Sequence, residues 1–104
     1  MAVKVLWEVL VPRFSSTGSE FPLEHHHQWD ATVRGVAGGL TILRPAKGHW
    51  VNVKGVKFVE EMIPVRVYCT EREIDEIMDC TLRHYSQEAV FAYVVSERVK
   101  IKRQ

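Results

Sequence analysis

The groups in this 104-residue chain that could do chemistry are five histidines, two cysteines and a few carboxylates and guanidiniums. His25, His26, His49 and His84, with Cys69 and Cys80, carry the imidazole nitrogens and thiol sulfurs that suit zinc. Their spacing does not suit it. The cysteines form no CxxC, and the fold would have to gather ligands scattered from position 25 to position 84. Histidines at the exposed start of a helix and a cysteine in the core explain the same letters, so neither a metal nor a cofactor is expected. A reactive thiol needs exposure beside a cation or an imidazole. Cys69 falls on a core-facing position, while Cys80 lies off the apolar stripe of its helix, one turn before His84. An exposed Cys80–His84 pair is the one thiol arrangement to test, and no catalytic residue is assigned.

Glu8 and Arg66 make a sharper pair, and the elements that carry them show why. Val3 to Pro12 has Val3, Val5, Trp7, Val9 and Val11 at odd positions and Lys4, Leu6, Glu8 and Leu10 at even ones, which predicts a strand with one fully apolar face. Val56 to Cys69 predicts another, with Ile63, Val65, Val67 and Cys69 on one face and Met62, Pro64, Arg66 and Tyr68 on the other. Glu8 and Arg66 therefore share a face, where an acid and a guanidinium can bind or polarise a polar ligand. The bland alternative is a structural ion pair beneath an interface. Tyr68 and Tyr93 are placed with them, so the candidate ligand-binding residues are Glu8, Arg66, Tyr68 and Tyr93.

The remaining segments follow from turn and cap chemistry. Arg13 to Glu20 is a polar, turn-rich loop. A first helix is expected from Pro22, with Glu24 near the positive end of its dipole and Trp29, Val33 and Val36 as its apolar stripe. His25 and His26 flank Trp29 one turn earlier, and His27 points away. The run Leu23-Glu24-His25-His26-His27 has the letters of a purification tag, but it is internal and continues into helix-compatible sequence, so it is treated as native. Gly38-Gly39 stops the helix. Because these glycines follow a helix and lead into a strand, they reverse the strand-to-helix order in which amides cradle phosphate.

Leu40 to Leu43 predicts the second strand, broken near Pro45. His49 to Val53 resumes it, with Trp50 expected to fold back over the sheet, and Lys54-Gly55 reads as a hairpin turn. Thr70-Glu71-Arg72-Glu73 is a capping box that opens a second helix, whose stripe is Ile74, Ile77, Met78, Leu82 and Tyr85. Ala89 to Val95 predicts the fourth strand, with either Phe91 and Tyr93 or Val90 and Ala92 on the open face. Val99 to Lys102 predicts a short extra edge strand, bearing Arg98, Lys100 and Lys102 as a basic stripe of the kind that blocks edge aggregation.

The order strand, helix, strand, strand, helix, strand is that of a ferredoxin-like α+β domain: an antiparallel sheet with both helices on one face. One such domain, spanning residues 1–104, is expected. Its second sheet face would be open and unusually apolar, and surfaces of that kind mark partner or ligand sites. A homo-oligomer, dimer or trimer, through that face is the leading structural inference.

Gly39-Leu40-Thr41, Gly48 with Trp50, Glu60, Tyr85 and Gln87-Glu88-Ala89-Val90 resemble an uncharacterised family of small bacterial domains with a GLT, G-x-W and QE-x-V pattern. The likeness runs from Gly38 to Ile101 and implies no activity. In element order alone the chain also resembles the signal-protein PII-like and dimeric α/β-barrel groups. PII proteins make regulatory contacts through a long loop between the second and third strands; here Lys54-Gly55 predicts a tight turn instead, and no basic cluster for ATP is evident in the sequence.

Composition excludes further classes. With 14 basic and 13 acidic side chains the formal charge is +1, which removes the broad attraction that drives non-specific nucleic-acid binding. The sheet aromatics lack the basic surround of an RNA-binding domain. Lys4 and Glu8 interrupt the apolar N-terminus too early for a signal-peptide core or membrane span. Two cysteines are too few for a disulfide framework. No nucleic-acid or membrane partner and a cytoplasmic location are therefore expected. Two functions remain: a small oligomeric binding or regulatory module using the open sheet face, or a cofactor-independent enzyme of the dimeric α/β-barrel type, acting on a small polar molecule. In the second, Glu8 or a histidine would serve as acid or base and Arg66 would orient the substrate.

Overall fold

A computed structural model of the chain describes residues 2–104. β1 (Lys4–Pro12) and β4 (Lys57–Thr70) are the central pair of the sheet, antiparallel from Lys4 opposite Thr70 to Pro12 opposite Met62. β5 (Ala92–Ser96) joins the other edge of β1, with Glu8 opposite Tyr93 and an irregularity between Leu6 and Trp7. β2 (Thr41–Ile42) and β3 (Ala46–Val51) both pair with β4, giving the order β2-β4-β1-β5 with β3 further along β4. α1 (Leu23–Ala37) and α2 (Glu71–His84) lie on one face. This is the ferredoxin-like α+β arrangement expected from the pattern.

The odd positions of the central strands make the core. Val9, Val11, Val65, Val67 and Cys69 are buried beneath Trp29, Val33, Ile74, Ile77 and Tyr85. Both helix boundaries have local causes. α1 starts after Pro22, whose φ of −63° already matches a helix entry, and ends at Gly38, where φ is +87° and the amide donates to the Arg34 carbonyl at 2.8 Å. α2 opens on the capping box: the Thr70 hydroxyl accepts from the Glu73 amide at 3.1 Å, and the Glu73 carboxylate accepts from the Thr70 amide at 2.9 Å.

The structure departs from the sequence expectation in several places. The second strand breaks near Pro45 as expected, because Pro45 has no amide proton to give the ladder, but it resumes at Ala46 rather than at His49; the two pieces become β2 and β3 and bring the sheet to five strands. The β3–β4 turn is wider than Lys54-Gly55. The Asn52 carboxamide accepts from the amides of Lys54 and Val56, and Gly55 supplies a φ of +80°. Trp50 does not fold over the sheet. It stacks on Phe58 at 4.5 Å and stays 47% exposed, on a β3–β4 arm that runs past β1 and contributes to a long dimension of 49 Å. Residues 99–102 form no strand, so Arg98, Lys100 and Lys102 do not make an edge stripe. No helix of the described residues is long and apolar enough to cross a membrane.

Thr81 is the core residue that the apolar pattern of α2 misses. It is fully buried, accepts from the Trp29 indole N–H at 2.9 Å and donates to the Ile77 carbonyl at 2.6 Å. A threonine on a helix can satisfy its hydroxyl one turn back, which frees it to serve as an acceptor inside the core. The Thr81→Val variant keeps the shape but strands the buried indole N–H. Urea denaturation is expected to show a loss of about 1–3 kcal/mol, and a loss under about 0.5 kcal/mol would show that the bond contributes nothing special.

Candidate functional site

The β1–β4 register puts Glu8 directly opposite Arg66, on the face away from the helices. Glu8 is only 6% exposed. Its Oε1 accepts from Arg66 Nε at 3.0 Å, and its Oε2 accepts from the Tyr93 hydroxyl, which β5 delivers from the other side of β1. A carboxylate at this depth is sustained by such donors, one of them cationic. The bond to Glu8 holds the Tyr93 phenol above its ordinary pKa, with burial and the Glu8 charge adding to it in the same direction. Glu8, Arg66 and Tyr93 thus form one network. Phe91 lies beside Tyr93 with ring centroids 5.8 Å apart, which selects Phe91 and Tyr93 for the open face.

Tyr68 stands one pleat further along β4. It does not bond to that network but lines a cleft of about 400 Å³ with Lys4, Leu6, Arg66, the turn Ala37 to Thr41, Ile101 and Arg103. Lys4 Nζ lies 5.9 Å from the centre of the Tyr68 ring. Arg66 joins the two parts, since its Nε is held by Glu8 while its side chain is 40% exposed to the cleft side. Lys4, Arg66 and Arg103 bring three positive groups to a cleft that, among the described residues, no carboxylate lines. The sequence concealed this cluster because its members are far apart in the chain; only the tail lying over β1 and β4 brings Arg103 in. Gly38 and Gly39 end a helix, as expected, yet also form part of the cleft wall.

The other chemical candidates separate. Cys69 is buried, and burial pushes its thiol up to about 11. Cys80 is half-buried, and burial raises its thiol above the ordinary value too, opposite to the shift an activated thiolate needs. His49 is on the exposed arm. His25, His26 and His84 are half-buried and meet at the junction of the helices around Tyr85. Among the described residues no group of three or more His, Cys, Asp or Glu side chains could hold a metal ion.

Solved structures share this fold at low sequence identity. A phage SAM lyase in complex with S-methyl-5'-thioadenosine superposes with a TM-score of 0.69 at 10% identity, over 93% of this chain and 84% of that one. The periplasmic divalent cation tolerance protein CutA from Archaeoglobus fulgidus gives 0.64 at 13%, over 98% and 87%. CutA1 from Oryza sativa gives 0.66 at 10%, over 98% and 85%. No family model and no curated protein matches the chain.

Replacing Arg66 by Ala removes the cationic donor from a carboxylate that stays buried. The expected loss of stability is about 1–3 kcal/mol, smaller than for a fully buried pair because the guanidinium is partly solvated. The Glu8→Gln variant removes the charge instead. In ultraviolet titration one tyrosine should then ionise closer to the ordinary value of about 10, and an unchanged titration curve would show that Glu8 does not govern Tyr93.

Proposed function

We propose that the chain is a small oligomeric binding or regulatory module whose open sheet face associates with further copies of itself and whose cleft takes a small anionic or polar molecule. One observation carries the ligand reading: Arg66 is fixed by a buried carboxylate and faces a cleft where Lys4 and Arg103 add two more cations and Tyr68, Leu6 and Ile101 supply apolar wall. Pre-positioned cations beside an aromatic and an aliphatic surface suit a ligand with a negative group and a planar or apolar body. The phage lyase with bound S-methyl-5'-thioadenosine adds support, because a structure of this fold accommodates a nucleoside-type molecule. Self-association is supported by Phe91 at 63% exposure and Tyr93 at 40% on the open face, and by the uncovered arm. The two unpaired thiols accord with a cytoplasmic setting.

A second function, a cofactor-independent enzyme acting on a small polar molecule, is favoured by the Glu8–Tyr93 bond. It places a carboxylate and a phenol next to Arg66, where they could exchange a proton with a bound substrate.

Sedimentation equilibrium of the full chain and calorimetric titration with AMP and S-methyl-5'-thioadenosine test these readings. The wild type should sediment as a dimer or trimer and bind at least one probe. Arg66→Ala should weaken that binding by about tenfold or more, about 1.4 kcal/mol. A monomer at high concentration would end the oligomer reading, and binding indifferent to Arg66 would end the cleft reading. Breakdown of a probe, followed by NMR and abolished in Glu8→Gln, would select the enzyme.

A further inference from the structure

The junction between the helices holds a cluster that the binding face does not use. The first turn of α1 and the last turn of α2 meet through His25 and His84. Nε2 of His25 lies 2.7 Å from the His84 carbonyl oxygen, and Nε2 of His84 lies 2.6 Å from the His25 carbonyl oxygen. A carbonyl oxygen only accepts, so both Nε2 atoms carry hydrogen, and in the neutral rings both Nδ1 atoms are bare. The rings stack with centroids 4.0 Å apart at 22°. Phe21 stacks on His25 at 5.1 Å, and the Tyr85 ring stands edge-on to His25 and His84 at 5.2 and 5.0 Å. His26 adds a third contact, with Nδ1 2.7 Å from the Tyr85 hydroxyl. Tyr85 is 2% exposed, and burial holds its phenol protonated well past its ordinary range, so the hydroxyl keeps its hydrogen and can donate to His26 whenever Nδ1 is bare.

We propose that the reciprocal His25–His84 pair, with His26 on Tyr85, is a pH-sensitive latch that holds α1 to α2 at neutral pH and releases the junction on acidification. A proton on one Nδ1 of the pair leaves both Nε2–H donors in place, so the two carbonyl bonds survive. A second proton sets two like charges face to face at the stacking distance. Charged groups of both signs stand around the cluster. At His26, Glu20 in the β1–α1 loop and Asp30 on α1 favour positive charge; in the turns that meet, Glu24 of α1 and the C-terminal end of α2 favour it, while Arg83 of α2 and the N-terminal end of α1 oppose it. On the sheet side, the slot beside His26 is lined by the apolar Val11, Ile42, Ile63 and Val65.

His26 responds in the same sense. Burial, its largest influence, lowers its pKa from 6.5. The unfolded chain therefore takes up that proton first. The stability contributed by neutral His26 is complete above the unfolded value and is lost as pH falls through and below it. Protonation at Nδ1 also fixes the His26–Tyr85 bond in one direction, with the imidazolium donating to the phenol oxygen, and leaves the Tyr85 hydrogen to find another acceptor. Release would loosen Tyr85 and Trp29 and widen the slot of about 160 Å³ that they line with His26, Val11 and Val65.

Thermal melts of the full chain between about pH 7.5 and about pH 5, across the ordinary histidine range, test the latch. Its comparison is the double variant His25→Gln with His84→Gln, whose carboxamides keep an N–H for each carbonyl but take no proton. The wild-type Tm should fall by about 5 °C or more, and the variant should lose less than half as much. An equal loss in both, or none in the wild type, overturns the proposal. Should the variant not fold, long-range 1H–15N spectra of the wild type near neutral pH decide: both rings must be Nε2–H tautomers, and an Nδ1–H tautomer at His25 or His84 overturns it. The latch lies on the helical side, so cleft binding by the variant at neutral pH should match the wild type.

Discussion

The antiparallel pairing of β1 with β4 is the constraint on which the rest of this molecule depends. Alternate residues of a strand face opposite sides, so a single register, Glu8 opposite Arg66, assigns every neighbouring residue to the core or to the open face. Val9 opposite Val65 and Trp7 opposite Val67 then fall under the helices, while Leu6 opposite Tyr68 falls on the open face. A slip of one residue would bury Arg66 beneath α1 and α2 and turn the valines to solvent. The core therefore enforces the site: burial of four strand valines and Cys69 holds in place the register that brings an acid to a guanidinium. The same logic reaches β5, where pairing with β1 delivers Tyr93 to the second oxygen of the Glu8 carboxylate.

The helical layer uses a different device. Two helices on a valine-rich sheet gain mostly non-directional attraction, which says little about their angle or register to each other. Directional bonds supply that information. The Trp29 indole N–H on α1 finds Thr81 on α2, and the His25–His84 pair ties the start of one helix to the end of the other. These bonds span 52 and 59 residues of chain, so they act as long-range fasteners. Tyr85 sits between them, packed near Trp29 and bonded to His26.

What the sequence disclosed and what it withheld divide along physical lines. Two-residue periods in Val3 to Pro12 and Ile63 to Cys69, the capping box at Thr70 and the glycine stop at Gly38 are local signals, and each element they announced is present. Glu8, Arg66 and Tyr93 could be placed together because strand parity and neighbouring strands suffice for it. Three things escaped. Thr81 reads as polar, and only its partners show that a hydroxyl satisfied on both sides belongs in a core. The histidines read as surface residues because the end of α2 had to be brought beside the start of α1 before His84 could meet His25. The basic cleft needs the tail to turn across β1 and β4 rather than extend as a strand, and a run such as Val99-Lys100-Ile101-Lys102 carries strand propensity that tertiary context overrides.

The arm is the part of the sheet with the least cover of its own. β3 and the first half of β4 form a two-stranded ribbon with no helix over either side, and isolated ribbons of this kind are marginal in water. Yet Trp50, Val51, Val53, Phe58 and Val59 are all exposed along it. Register fixes how these side chains divide. Trp50 and Phe58 lie opposite each other, and the even numbering of β4 carries their face on through Met62 to Arg66. The stacked pair is therefore continuous with the surface that holds Glu8, Arg66 and Tyr93, rather than with the core side. A partner surface that covered the arm along this face would meet the rim of the ligand cleft, so assembly and ligand occupancy would share one face of one sheet. A molecule neutralising Arg66 and Arg103 would then change the charge that such a partner meets.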